Sequence, residues 1–360
     1  MFTPLPGDRR SFFEKLGYLG AATLLTRSVA STQAAEAAGL PDIAAPENLA
    51  ARGEMPRRKF GKTDVVVSAM GLGGHTFAQA KSDSEAIRIV QEAVDAGMTF
   101  LDNAWEYHQG RSEDLMGKAL AEGGRRDKAF LMTKLCSHGR DKKVAMQQLE
   151  ESLRRLRTDH LDLWQIHECV YDNDPERHFA KGGAIEAIAE AKQQGKVRFV
   201  GFTGHKDPAI HLDMLARGFP FDACQLPLSG FDAHFQSFQQ RVLPELKKQG
   251  IAAIGMKSLN GNADAIKKGV IRAADAIRYA MSLPVAVTVS GIDSLELLRE
   301  NLRIAREFTP MNAAERLAYE SQCAVYAGDG RFELYKTTAK FEGPPGREQH
   351  GFPSQKEVAG

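Results

Sequence analysis

From residue 57 onward the chain alternates between two spacings of apolar residues. Short continuous apolar runs read as buried strands. Longer stretches with apolar residues three and four apart read as amphipathic helices. Strands are expected at 68–72, 99–103, 129–134, 161–166, 197–202, 223–226, 252–256 and 285–289. Helices are expected between and after them, at 82–96, 112–121, 142–156, 184–194, 208–216, 242–249, 272–281 and 295–306. The first of these places Ala86, Ile87, Val90, Ala93 and Val94 at helical spacing. Gly97, Gly195, Gly218 and Gly250 each follow a helix, where a stop signal belongs. Ahead of the alternation, Arg57 to Phe60 and Val65 to Val67 flank Gly61-Lys62-Thr63-Asp64 and read as a hairpin.

Eight strand–helix units argue for a parallel α/β fold, a (β/α)8 barrel of the TIM type, although the count alone also admits a doubly wound sheet. After Pro310 one further helix is expected, 312–327, followed by an irregular tail rich in Gly and Pro. The domain reading is therefore a barrel at 56–310 with a C-terminal extension at 311–360.

Charge changes little in this picture. A formal net charge of +1 leaves no electrostatic footprint for nucleic acid. Four cysteines at 136, 169, 224 and 323 make no C-x-x-C pair, so no zinc ribbon or iron–sulfur cluster is expected. Cys136 and Cys169 fall near the same strand ends and pose the question of a redox pair. The N-terminus differs from the rest. Arg9-Arg10 precede an apolar run, Leu16 to Leu25, with Ser28-Val29-Ala30 behind it. That run is too short to span a bilayer. The order looks like a twin-arginine export signal over 1–30, then a linker over 31–55 rich in Ala, Pro and Glu. It implies an exported, periplasmic protein and a translocon as partner, with a cytoplasmic location as the alternative.

In a barrel, reactive residues sit at the C-terminal ends of the strands. The second barrel strand ends at Asp102, with Tyr107 in the loop after it. The third ends at Lys134. The fourth ends at His167. The run from Leu101 through Asp102, Tyr107, Gly110 and Ser112-Glu113 resembles the aldo-keto reductase signature. Lys134 matches the lysine of that family's third strand and His167 the histidine of its fourth. The resemblance covers roughly residues 56–310 and implies NAD(P)H-dependent reduction of an aldehyde or ketone. Tyr107 is then the general acid, Lys134 the ammonium that lowers its pKa, Asp102 the partner holding Lys134, and His167 the group orienting the carbonyl.

The resemblance also assigns cofactor contacts. These are Thr203 and Gln225 at the carboxamide, with Asp102. Gly73 and Gly74 after the first strand either let a nicotinamide ring approach the backbone or make a tight turn. Met256 and Ser258, after the seventh strand, border the pyrophosphate. Ser290, Gly291, Ser294, Glu300 and Asn301 complete the set near a helix N-terminus. The family favours NADPH, and NADP is the expected cofactor. Asp293 stands where a base for the 2′-phosphate often lies, and Arg299 is the nearest base, which leaves NAD open. No metal is expected. The rival to an enzyme is a redox sensor or subunit that binds the cofactor in the same barrel with vestigial turnover. The aromatics Tyr171, Phe179, Phe231, Phe235 and Phe238 either line an apolar substrate pocket or pack the loops.

Overall fold

A computed structural model describes residues 44–136 and 141–354. The twin-arginine segment, most of the linker, and the last residues of the tail lie outside the described residues. β1 (Arg57–Lys59) and β2 (Val66–Ser68) pair antiparallel as the expected hairpin. Eight parallel strands then close a barrel. They are β3 (Met70–Gly73), β4 (Phe100–Asp102), β5 (Phe130–Leu135), β6 (Leu161–Ile166), β7 (Val197–Thr203), β8 (Ala223–Pro227), β9 (Ala252–Met256) and β10 (Val287–Gly291). β10 pairs with both β9 and β3, which shuts the ring.

One helix follows each barrel strand: α1 (Asp83–Asp95), α2 (Arg111–Leu120), α3 (Lys142–Leu156), α4 (Ala184–Gln193), α5 (Pro208–Ala216), α6 (Leu243–Gln249), α7 (Ala273–Ser282) and α8 (Leu295–Arg306). Local sequence explains their ends. Ser82 accepts from Glu85 N–H at the start of α1, and Asp141 and Asp207 cap α3 and α5 the same way. Gly97 after α1 and Gly250 after α6 take left-handed backbone, φ 94° and 69°.

The hairpin seals the N-terminal end of the barrel. Phe60 is fully buried there, with its ring centroid 4.9 Å from Phe130, 5.7 Å from Phe199 and 6.4 Å from Phe100.

Two expectations need correction. β10 begins at Val287, two residues later than expected, so Ser290 and Gly291 are strand residues paired with Leu72 and Gly73 rather than loop. The tail is also far from irregular. After α9 (Ala313–Ala327) come two short helices, Leu334–Thr337 and Pro344–Gln349. A buried ion cluster docks the first: Lys336 Nζ lies 2.7 Å from Asp232 and 2.8 Å from Glu333. Glu342 joins Lys206 and Arg347 and accepts from Tyr171 Oη at 3.0 Å. Phe231 and Phe238 are fully buried, and Phe231 packs on Phe332 of the tail. Tyr171 packs against His350, ring centroids 3.9 Å apart and tilted by 46°. These aromatics pack the loops and hold the tail.

Candidate active site

Strand register brings the predicted groups to one rim. Asp102 ends β4 opposite Gly73, and Lys134 on β5 stands beside Gln165 on β6. Thr203 on β7 pairs with Gln225 on β8. Lys134 is buried, 1% exposed. Its ammonium bonds the Asp102 carboxylate and donates to the Asn103 carbonyl at 2.8 Å. Gln225 Nε2 donates to the other Asp102 oxygen at 3.0 Å, and Gln165 Nε2 donates to Gln225 Oε1 at 3.0 Å.

Tyr107 opens a tight turn, Tyr107–Gly110, in which His108 and Gln109 hold left-handed backbone, φ 51° and 57°. Strain of this kind persists only where surroundings enforce it. Here Ser112 Oγ donates to the Gly74 carbonyl at 2.7 Å. Glu113, fully buried, accepts from Thr133 Oγ1 at 2.6 Å and pairs with Arg155 at 3.1 Å. The Gly-x-Ser-Glu segment thus clamps the loop that presents Tyr107.

Tyr107 Oη lies 3.5 Å from His167 Nε2, and Lys134 Nζ is 5.1 Å from the phenol ring centroid. Electrostatics at the phenol run opposite to the expectation. Burial, then the charges of Asp102, Glu106 and Glu168, hold Tyr107 well above the ordinary tyrosine range. The phenol is therefore a firmly protonated donor in this state.

Further titratable groups crowd the same rim. Glu106 Oε1 lies 2.7 Å from His167 Nδ1, off the line of the ring N–H. Glu168 follows His167 with left-handed backbone, φ 50°, and accepts from the Gly343 N–H at 2.7 Å. His205 Nε2 is 3.7 Å from Glu168 Oε1. Lys257, also left-handed at φ 56°, is lowered to about 8 by burial, with its ammonium over the rings of Tyr335 and Phe341. Sequence reasoning had left Glu106 and His205 out of the site. Their only signals are adjacency to Tyr107 and a place two residues past the end of β7.

Glu106, His167 and Glu168 offer three ligand atoms within 4.8 Å of one another. Glu106 Oε1 and His167 Nδ1 stand 2.7 Å apart. Two ligands of one zinc ion keep about 3.4 Å between them, given bonds of about 2.1 Å at tetrahedral angles. The four cysteines are buried, and Cys136 donates to Glu106 Oε2 at 3.3 Å.

The expected cofactor residues run round the rim from β7 through β8, β9, β10 and β3 to β4. Gln165 Oε1 is buried with no hydrogen-bond partner, beside Gln225 and Thr203, and suits an amide donor. Gly74 serves packing, since a Cβ there would meet the Asp102 carbonyl at 2.4 Å. Ser290 Oγ donates to Asn301 Oδ1 at 2.7 Å, fixing β10 to α8, and Ser294 caps α8. Ser258 is buried just past β9, near Met256, while Glu300 is exposed on α8. Arg299 is tied to Glu92 at 2.7 and 3.1 Å.

A sequence profile of the aldo/keto reductase family matches residues 69–264. An uncharacterised oxidoreductase of Bacillus subtilis, YqkF, is 27% identical over 292 residues, covering 70% of this chain and 91% of its own length. Among solved structures, the holo form of an aldo-keto reductase from Bacillus halodurans superposes with a TM-score of 0.63 at 24% identity, covering 78% of this chain and all of its own. An aldo/keto reductase from Klebsiella pneumoniae, solved with NADP and acetate, gives 0.59 at 21% identity over 74% of this chain and 94% of its own. The two structures carry the fold alone. The profile spans more than half of the sequence, and the chain belongs to the aldo/keto reductase family. It is an NAD(P)H-dependent oxidoreductase that reduces carbonyl groups.

Proposed function

We propose that Tyr107 is the proton donor of this reductase. The observation that carries the reading is the convergence of Tyr107 Oη on His167 Nε2 at 3.5 Å beside a buried Asp102–Lys134 pair. The carbonyl oxygen binds between Tyr107 and His167. Hydride reaches the carbon as the phenol proton reaches the oxygen. General acid catalysis of this kind contributes about 10²–10⁴ in rate. Asp102 holds Lys134 in place, and Gln225 holds Asp102 in place.

The nicotinamide cofactor supplies the hydride when bound. Gly73, Gly74, Thr203, Gln225 and the unpaired Gln165 Oε1 would hold its carboxamide end. Met256, Ser258, Ser290, Gly291, Ser294, Glu300 and Asn301 would hold the phosphate and adenosine end at the start of α8. NADP is the proposed cofactor, with weak discrimination against NAD. Asp293 repels a 2′-phosphate, and Arg299 is already paired with Glu92. Fluorescence titration should give NADPH and NADH dissociation constants within about tenfold of each other, a difference of about 1.4 kcal/mol. A ratio of a thousand would overturn the weak-discrimination reading. Turnover on a panel of aldehydes and ketones separates the enzyme from a cofactor-binding sensor. Tight NADPH binding without any carbonyl reduction would favour the sensor.

We further propose export through a twin-arginine route, carried by Arg9-Arg10 and the apolar run behind them. Such a route moves folded protein, which suits an enzyme that leaves with its nucleotide bound. Replacing both arginines by lysine should retain the protein in the cytoplasm. Unchanged recovery outside it would contradict the proposal.

A further inference from the structure

We propose that the N-terminal end of the barrel holds a second ligand site, which takes a small soluble phosphate ester. The site is independent of the carbonyl-reducing rim and lies at the opposite end of the strands. A cavity of about 320 Å³ stands there, built on the starts of β5, β6 and β7 and on the β1–β2 hairpin. That volume falls at the lower limit of small-molecule pockets, about 300 Å³. Arg57, Arg126, Lys128 and Arg198 line it, against Asp127 and Asp162. Cations outnumber carboxylates, so the cavity carries a positive excess.

Structural duties account for only part of that charge. Arg126 serves the scaffold: it donates to Thr158 Oγ1 at 3.0 Å and to the His160 and Ala129 carbonyls at 3.0 and 3.3 Å. Asp162 is committed as well. One of its oxygens accepts from Leu131 N–H at 2.9 Å and lies 3.4 Å from Arg126, and the other accepts from Arg198 Nη1 at 3.0 Å. The remaining cations have donors to spare. The Arg198 side chain is half exposed, and its Nε and Nη2 make no hydrogen bond among the described residues. Arg57 makes one long contact, 3.5 Å to the Val66 carbonyl, and no ion pair among the described residues. Lys128 makes no ion pair among them either. Asp127 offsets one of these three charges.

A neutral group agrees. Thr99, directly before β4, lines the same cavity and is only 8% exposed. Its hydroxyl makes no hydrogen bond among the described residues, although its backbone N–H donates to Ser68 Oγ. A nearly buried hydroxyl left unpaired costs free energy, and a ligand oxygen would accept from it. A phosphate monoester fits both features. It carries close to two negative charges at neutral pH and offers three strong acceptor oxygens. Arginine forks match such oxygens two donors at a time. A bare phosphate ion would fill only a small part of the cavity. Val65 and Val66 of the hairpin supply apolar wall for the carbon body of an ester.

The test is calorimetric titration of glycerol 3-phosphate into the full chain already saturated with NADPH, so that the phosphate contacts of the rim are occupied. Glycerol is the uncharged control. The expected result is one saturable site per chain with Kd at or below about 1 mM, and no heat from glycerol. Arg57→Gln and Arg198→Gln should each weaken binding at least about tenfold, while kcat for carbonyl reduction stays that of the wild type. Thr99→Val, which keeps every charge, should weaken it at least about threefold. His167→Gln, at the other end of the barrel, should leave Kd unchanged. Vesicles of phosphatidylglycerol form a second arm, which separates a lipid headgroup from a free ester. Binding to the vesicles without binding of glycerol 3-phosphate overturns the proposal. So does the absence of saturable binding, or an affinity unmoved by the Arg57, Arg198 and Thr99 variants, or one lost in His167→Gln.

Discussion

The two ends of the barrel carry the same kinds of charge and treat them differently. At the N-terminal end Asp162 accepts from Leu131 N–H at 2.9 Å and pairs with Arg126 and Arg198 at 3.4 and 3.0 Å. Arg198 is half exposed, and Arg126 also bonds Thr158 and the Ala129 and His160 carbonyls. These groups border an open cavity of about 320 Å³, lined also by Arg57, Lys128 and His160. At the C-terminal end Asp102, Lys134, Glu168 and His205 are buried, and burial moves Tyr107 up and Lys257 and His205 down. This cavity lies at the end of the barrel away from Tyr107 and His167. Charges that are solvated or fully paired cost little, whereas charges kept dry and close perturb one another, and that perturbation marks chemistry.

The largest effect should come from breaking the dry pair. Lys134→Met strands Asp102 in the interior and should cost about 3–5 kcal/mol of stability by denaturant unfolding, with loss of reductase activity. Phe60→Ala, at the sealed end, should cost about 3–5 kcal/mol by cavity formation while the folded fraction keeps its kcat. Equal damage to kcat from both variants would erase the contrast between the ends.

A smaller effect concerns the tail that covers the rim. Burial raises Glu333 to about 7, next to Lys336 and Asp232. The folded form thus holds a proton that the unfolded form releases near pH 4.5, the ordinary glutamate value. The contribution of this group to stability falls as pH rises from about 4.5 to 7, and stays low above that. Proteolysis or hydrogen exchange of the tail should therefore be faster at pH 8 than at pH 5.5. Exchange that slows instead would contradict the assignment to Glu333. The smallest effect is at the open end, where Arg198→Ala should change stability by no more than about 1 kcal/mol.

Much of this was legible beforehand for physical reasons. Parallel barrel strands are buried on both faces, so each prints a continuous apolar run, and the eight strands and their helices stand where the pattern puts them. Asp102, Lys134 and His167 could be brought together because strand ends of a barrel share one rim. The tail could not be read the same way. Lys336 finds Asp232 across 104 residues, and no local spacing announces that contact. The direction of the Tyr107 shift was also hidden. It depends first on how completely the phenol is buried and then on the charges of Asp102, Glu106 and Glu168 nearby, which a sequence does not weigh.

The most direct test is a single turnover of Tyr107→Phe with NADPH already bound, on a carbonyl substrate the wild type reduces. Hydride transfer should slow by about 10²–10⁴ while the NADPH dissociation constant stays within about twofold. A transfer rate close to that of the wild type would show that the proton comes from another group, and the account of this rim would fail.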